Sequence, residues 1–233
     1  MSAPVPQNET QRLKVLWQYD VLDTVPEEIF DDLTELAAQI CDAPIALITL
    51  VDETRQWFKS KVGVSINETS RDISFCAHAI NQPGLFIVPD ATKDDRFANN
   101  PLVTSDPKVR FYAGAPLVTP DGFALGTLCV IDKVPRELRP EQQRALTILA
   151  RHVMSQLELR RHSRELAAAR NHGDELKSDV EKLRQALAQA RTELKARVAH
   201  KGTGQRPSKS SAASAKPRKP SARRRLPKRR GGR

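Results

Sequence analysis

The segment IALITLV, residues 45–51, decides the fold of this chain. It is too short for a stable buried helix and is rich in residues that favour strands, so we predict a central strand. A polar turn follows, and RQWFKSKV, residues 55–62, is predicted as the hairpin partner of this strand. Trp57 and Phe58 of that partner are expected in the core.

Upstream, the sequence predicts two helices. Leu13, Leu16 and Trp17 lie at helical spacing and indicate a short amphipathic helix. Thr24 and Glu27 form a capping-box pattern that opens a second helix. The expected apolar face of the second helix comprises Ile29, Phe30, Leu33, Leu36, Ala37 and Ile40.

Downstream, the chain alternates between short strands and polar connections. The predicted elements are a short helix over 73–80, a strand from 85, a loop with one helical turn over 89–107, strands over 109–117 and 124–131, and a long helix from about 139. The sequence TPDG, residues 119–122, has the chemistry of a tight hairpin turn. Hairpin-linked strands flanked by helices indicate an antiparallel sheet with helices on its faces, an α+β fold.

Several long motifs in this part of the chain resemble a known family. They are VLDTVPEEIFDDLTELAAQICDAPIALITLVDETRQWFKSKVG from residue 21, RDISFCAHAI from 71, VPDATKDDRFANNPLV from 88, RFYAGAPLVTPDG from 110 and GTLCVIDKVPREL from 126. Over about 13–154 the sequence is similar to the GAF domains at the N-terminus of bacterial sensor histidine kinases and diguanylate cyclases. No kinase, cyclase or helix-turn-helix sequence follows within the 233 residues.

The resemblance implies a GAF-like antiparallel sheet of five or six strands, with terminal helices on one face and a pocket on the other. It also implies a regulatory role, since GAF domains bind small molecules such as cyclic nucleotides or chromophores, or form dimer interfaces. Transferred to this chain, the expected ligand-binding residues are Phe75, Cys76, His78, Arg110, Tyr112 and Cys129. The sequence identifies neither a ligand nor a cofactor.

The polar members of this set have a structural interpretation as well. Arg110 beside Tyr112 could hold an anionic ligand, but pairing of Arg110 with Asp90 or Asp94 is the interpretation we favour. The aspartates and asparagines of the 90–101 loop are expected to serve as turns and caps rather than as metal ligands. Cys76 and His78 have no second ligand pair for zinc, and we favour a buried structural cysteine.

A heptad pattern follows the sheet domain. Residues that are apolar or small, apart from one histidine, alternate at spacings of three and four over five heptads, which is typical of a left-handed coiled coil. The repeat comprises Leu159, His162, Leu166, Ala169, Gly173, Leu176, Val180, Leu183, Leu187, Ala190 and Leu194. We predict a parallel homodimer; the alternative is one amphipathic helix folded back on the domain.

Charge divides the chain into three expected regions: a GAF-like domain over 1–158, a coiled-coil arm over 159–200 and a disordered basic tail over 201–233. The tail holds 13 of the 38 Lys and Arg residues and no Asp or Glu, so it lacks the apolar surface needed to fold. Its candidate nucleic-acid-binding residues are Arg218, Lys219, Arg223, Arg224, Arg225, Lys228, Arg229 and Arg230.

These features leave three classes of function open. The first, which we favour, is a sensory or regulatory protein, not an enzyme, whose state is read by a histidine kinase or another signalling protein. The second is a nucleic-acid-associated protein tethered by its tail, and the third is a cysteine-dependent redox enzyme. Three cysteines and no apolar run of membrane-span length favour the cytoplasm, with nucleoid association if the tail binds DNA.

Overall fold

The computed structural model describes residues 3–202 and divides the chain into two compact units, Met1–Asp174 and Glu175–Arg233. Of the predicted basic tail, 201–233, the first two residues belong to the last helix; the rest of it, with all of its candidate nucleic-acid-binding residues, lies outside the described part. No helix within the described part is both long and apolar enough to cross a membrane.

A six-stranded antiparallel sheet organises the first unit. Its strands are β1 (Ile45–Val51), β2 (Arg55–Val62), β3 (Glu68–Ser70), β4 (Phe86–Val88), β5 (Phe111–Val118) and β6 (Ala124–Asp132), in the order β3-β2-β1-β6-β5-β4. The predicted α+β class and antiparallel sheet are confirmed. All seven residues of β1 are buried between β2 and β6, as expected of a central strand.

The described residues also form five α-helices. They are α1 (Glu9–Gln18), α2 (Glu28–Cys41), α3 (Phe75–Ala79), α4 (Pro101–Thr104) and α5 (Pro140–Gly202), with a 3-10 turn at Arg71–Ile73. Buried residues of α1, α2 and the first turns of α5 share one core cluster with one face of the sheet. Residues of α3 and α4 share a second cluster with the opposite face.

Successive side chains of β1 and β2 point to opposite faces of the sheet and contribute to both core clusters. Ala46, Ile48 and Leu50 of β1 belong to the helical-face cluster, while Ile45, Leu47 and Val51 belong to the opposite one. The predicted core positions of β2 are confirmed on opposite faces, since Trp57 packs in the first cluster and Phe58 in the second.

The predicted start of the second helix is wrong in its chemistry. The Thr24 hydroxyl donates to the Val21 carbonyl, and Glu27 is the N-cap of α2 without a side-chain capping bond. The Glu27 carboxylate instead accepts hydrogen bonds from Lys59 and Arg160. Two charged partners therefore replace the backbone amide that the capping box requires.

Three helical side chains and one edge strand differ from the prediction made from the sequence. Ile29 and Leu36 of α2 are 43% and 42% exposed, because α2 packs mainly through Phe30 and Ala37. Trp17 is 50% exposed and donates its indole N–H to Asp52. Strand β3 was not predicted, because its three polar residues form a strand only by pairing with β2.

Candidate functional site

The candidate site lies on the sheet face covered by α3 and α4. Ser74 caps α3 by accepting a hydrogen bond from the Ala77 amide at 3.1 Å, which fixes the direction of this short helix. The Asn100 side chain accepts from the Leu102 amide at the start of α4 and donates to the Ile73 carbonyl. Asn100 thus ties the start of α4 to the 3-10 turn that precedes α3.

Aromatic rings fill the space beneath these helices. Phe75 stacks on Phe97 with ring centroids 4.0 Å apart and on Tyr112 at 5.2 Å. Phe86 of β4 contacts Phe97 and Tyr112 at 6.2 and 5.9 Å. All four rings are buried, so the centre of the expected pocket is packed with side chains.

A polar cluster lies within this apolar shell. The Cys76 sulfur accepts hydrogen bonds from the Thr127 hydroxyl at 3.0 Å and the Tyr112 hydroxyl at 3.2 Å. The Cys129 sulfur lies 3.9 Å from it, and Thr49 bonds to Thr127 at 3.1 Å. Cys76 and Cys129 are 1% and 0% exposed, so both side chains are almost fully buried.

The hydrogen bonds change the acidity of the two thiols in opposite directions. Burial disfavours the Cys76 thiolate, but donors from Cys129, Thr127, Thr49 and Tyr112 outweigh it and lower the pKa of Cys76 to about 7. Burial, followed by the neighbouring Cys76, raises the pKa of Cys129 well above its ordinary value. Of this pair, Cys76 is the group that ionises first.

Two expected site residues stand apart from this cluster. His78 packs edge-on against Phe97 at 4.7 Å, and burial followed by Arg96 lowers its pKa. Arg110, one residue before β5, donates to the carbonyls of Val103 and Val109. Four of the six expected residues, Phe75, Cys76, Tyr112 and Cys129, therefore come together, and the other two lie at the side.

The expected pairing of Arg110 with Asp90 or Asp94 is wrong. Asp90 pairs with Lys93, and Asp94 forms a bidentate contact with Arg96. Each aspartate is closer in sequence to its own lysine or arginine, and Arg110 satisfies loop carbonyls instead. The carboxylates of Asp90 and Asp94 also accept hydrogen bonds from the backbone amides two residues further along the chain. This confirms the predicted role of these loop residues in turns.

A small cavity adjoins the polar cluster. Its volume is about 60 Å³, and its lining includes Phe58, Ile66, Cys76 and Tyr112. Ile66 is 51% exposed, so the cavity extends from the cluster toward the surface beside β2. Among residues 3–200, no group of three or more His, Cys, Asp or Glu side chains could hold a metal ion.

Sequence reasoning missed the two threonines and one glycine that complete the cluster. Thr49 and Thr127 are directly paired across β1 and β6, a relation that only the strand register reveals. A Cβ at Gly114 would come within 2.2 Å of the Tyr112 hydroxyl, so the glycine leaves room for the phenol. The spacing Tyr-x-Gly on one strand face was the available signal.

These features define an α+β sheet domain with terminal helices on one face and a small buried cavity on the other. The family model for the GAF domain matches residues 25–157, and the chain belongs to the GAF domain family. The chain is 44% identical over 155 residues to a cyclic di-GMP phosphodiesterase of Pseudomonas aeruginosa. That match covers 66% of this chain and 26% of the relative, so the chain spans about a quarter of the relative's length.

Two solved structures are similar to this chain at low sequence identity. The blue-light-absorbing form of the PixJ GAF domain from Thermosynechococcus elongatus has a TM-score of 0.50 and 15% identity, over 72% of this chain and 98% of that one. The GAF domain of an Acinetobacter phosphoenolpyruvate-protein phosphotransferase has a TM-score of 0.49 and 16% identity, over 66% and 94%.

Proposed function

We propose that this protein is a homodimeric GAF regulatory module that acts in cyclic di-GMP signalling and passes its state to a separate signalling protein through α5. Membership of the GAF family supports the regulatory role. The link to cyclic di-GMP rests on the 44% identity to a phosphodiesterase of that name. The match covers 26% of that relative, and what it supports for this chain is the regulatory role in the same signalling system.

The first turns of α5 are well placed to follow changes in the sheet. Leu146, Val153 and Leu157 are almost fully buried in the helical-face cluster. Further along, Arg160 donates to the Tyr19 and Asp20 carbonyls and to the Glu27 carboxylate. A shift of α1, α2 or the sheet would therefore act on α5 directly.

The observation that carries the proposal is the exposed apolar seam of α5. Six large apolar heptad residues beyond residue 160 are between 47% and 72% exposed: Leu166, Leu176, Val180, Leu183, Leu187 and Leu194. Burial of a leucine or valine side chain stabilises by about 1.5–3 kcal/mol. A second copy of the chain offers a matching seam at the same spacing, which supports the predicted parallel dimer.

The small volume of the cavity beside Cys76 limits the size of any ligand that could regulate this domain from within it. Small-molecule sites usually enclose about 300–1,000 Å³, whereas the cavity beside Cys76 encloses about 60 Å³. This favours regulation through a protein partner or the dimer interface over binding of a nucleotide-sized ligand in the present conformation.

Sedimentation of the full chain tests the dimer. We expect the unmodified protein to sediment as a dimer and the double variant Leu183→Asp/Leu187→Asp to sediment as a monomer, because buried carboxylates at the seam are unpaired. Gln185→Asp/Gln189→Asp adds the same charge at exposed positions outside the seam and should remain dimeric. A monomer for the unmodified chain would overturn the proposal, as would equal dissociation of both variants.

A further inference from the structure

We propose that Cys76 and Cys129 are a modification site, a dithiol that a hydroperoxide converts to an internal disulfide between α3 and β6. The inference is independent of the proposed signalling function. It rests on the positions of the two sulfur atoms, on the hydrogen bonds that Cys76 receives, and on the cavity that reaches it.

The geometry suits disulfide formation. The sulfur atoms are 3.9 Å apart, and a disulfide requires about 2.05 Å, so each sulfur must move by roughly 1 Å. The two residues are 53 positions apart in sequence, and α3 and β6 are in contact in the same core cluster. Closure would therefore join two elements that already pack together.

The surroundings of Cys76 differ from those of a cysteine that only fills space. Two hydroxyl groups, from Thr127 and Tyr112, donate to its sulfur, and such donors favour the thiolate, the form that reacts with peroxides. Cys41, equally buried, provides the internal contrast. Burial raises the pKa of Cys41 to about 11, so it should remain a thiol.

The cavity supplies a route for a small oxidant. Cys76 is part of its lining, and the half-exposed Ile66 stands at its outer side. A cavity of about 60 Å³ has room for a molecule close in size to water, which needs at least about 10–15 Å³ of such space.

The chemistry proceeds in two balanced steps. The Cys76 thiolate attacks one peroxide oxygen; an S–O bond forms, the O–O bond breaks, and the hydroxide released takes up a proton to become water. The Cys129 sulfur then attacks the Cys76 sulfenic acid; an S–S bond forms, the S–O bond breaks, and the hydroxyl leaves with the Cys129 proton as water. Two thiols lose two electrons, and one hydroperoxide is reduced.

The test treats the folded full chain with hydrogen peroxide, quenches, unfolds, alkylates the remaining thiols and maps the peptides by mass spectrometry. We expect one linkage, Cys76 to Cys129, that a reducing agent reverses, with Cys41 alkylated. The native protein should also react faster than the protein in urea, where the hydroxyl donors are lost. A linkage that involves Cys41, or native thiols that react no faster than unfolded ones, would overturn the proposal.

Single substitutions distinguish the role of Cys76 from that of Cys129. Cys129→Ser, oxidised while folded and then unfolded in the presence of dimedone, should yield the dimedone adduct of a Cys76 sulfenic acid, whereas Cys41→Ser should form the disulfide as the unmodified chain does. The measurements on unmodified protein decide the question by themselves if Cys129→Ser fails to fold. Absence of the dimedone adduct in a folded Cys129→Ser variant contradicts the assignment of Cys76 as the attacking group.

Discussion

At the scale of single residues, Glu9 shows how one carboxylate permits the burial of two arginines. Arg12 is 1% exposed and Arg71 8% exposed, and both donate to the Glu9 carboxylate. Arg12 also donates to the Val51 carbonyl at the end of β1. Through Arg71, Glu9 attaches α1 to the 3-10 turn before α3, and it neutralises the arginine that attaches α1 to the central strand.

The ionisation of Glu9 leads to a prediction about acid stability. Burial alone would raise its pKa, but the hydrogen bonds and charges of Arg12 and Arg71 lower it from 4.5 to about 2. A folded pKa below the unfolded one stabilises the protein above about pH 4.5, and this contribution disappears as the pH falls toward about 2. We expect Glu9→Gln to lower the free energy of unfolding by about 2–3 kcal/mol at neutral pH.

Urea unfolding across this pH range measures the effect. The difference between Glu9→Gln and the unmodified protein should shrink as the pH falls, because the carboxylate becomes neutral in both the folded and unfolded states. Glu53→Gln, in an exposed turn, is the matched control and should show no such trend. A gap between Glu9→Gln and the unmodified protein that stays constant down to the lowest pH would contradict the assigned role.

The residue scale also separates what the sequence could predict from what it could not. The aromatic and cysteine positions of the site followed from the motifs, and Phe75, Cys76, Tyr112 and Cys129 do meet. The hydrogen bond between Thr49 and Thr127 depends on the β1–β6 register, which no local pattern encodes. Likewise, Arg110 donates to the carbonyls of Val103 and Val109, a pairing that depends on the path of residues 101–109 in space.

At the scale of elements, Glu27 connects β2, α2 and α5. Its carboxylate accepts from Lys59 at 2.6 Å and from Arg160 at 2.9 Å. The Lys59 side chain is fully buried and also donates to the Thr24 hydroxyl and the Val25 carbonyl. The three elements therefore meet at the Glu27 carboxylate. Loss of this carboxylate would leave the buried Lys59 ammonium without an opposite charge.

This arrangement predicts an asymmetry between the two partners. Glu27→Ala should lower the free energy of unfolding by about 3 kcal/mol, because an uncompensated buried ammonium remains. Lys59→Met should cost about 1 kcal/mol, since Glu27 keeps Arg160 and methionine fills most of the volume. The double variant should be more stable than Glu27→Ala alone. Chemical denaturation of the three variants provides the double-mutant cycle, and additive losses would contradict the coupling.

Strands and helices differ in how well the sequence predicted them. β1 and β2 were predicted to the residue, because a run of seven residues with six apolar side chains, followed after a short turn by a second strand-forming run, leaves few alternatives. α2 was predicted, but its N-terminus was misjudged, since Glu27 is used by Lys59 from a strand 32 residues away. Long-range charge pairing therefore overrides a local capping pattern.

At the scale of the whole molecule, the charge distribution is the dominant feature. The full chain carries a formal net charge of +10, and residues 201–233 contribute 13 positive charges with no acidic residue. Without them the net charge is −3. Removal of this segment therefore reverses the sign of the long-range field that an anionic partner meets.

We predict that the full chain binds DNA or RNA without sequence preference at low ionic strength, and that a chain ending at His200 does not. Each neutralised phosphate of duplex DNA adds about 0.9 to the slope of log affinity against log salt. Replacement of Arg223, Arg224 and Arg225 by glutamine should therefore flatten that slope by about 3 × 0.9. Fluorescence anisotropy with a labelled duplex, titrated with salt, measures both effects.

A dimer would strengthen this binding without any new contact. Two basic segments in one particle act on the same duplex, and the second binds at a high effective concentration. The variant Leu183→Asp/Leu187→Asp keeps all 13 positive charges of the segment, so a loss of affinity in it would reflect the loss of avidity rather than of charge. Nucleic-acid binding that persists in the chain ending at His200 would place the contact in the acidic folded region and contradict the prediction. Equal affinity of the monomeric and dimeric forms would show that one basic segment accounts for all of the binding.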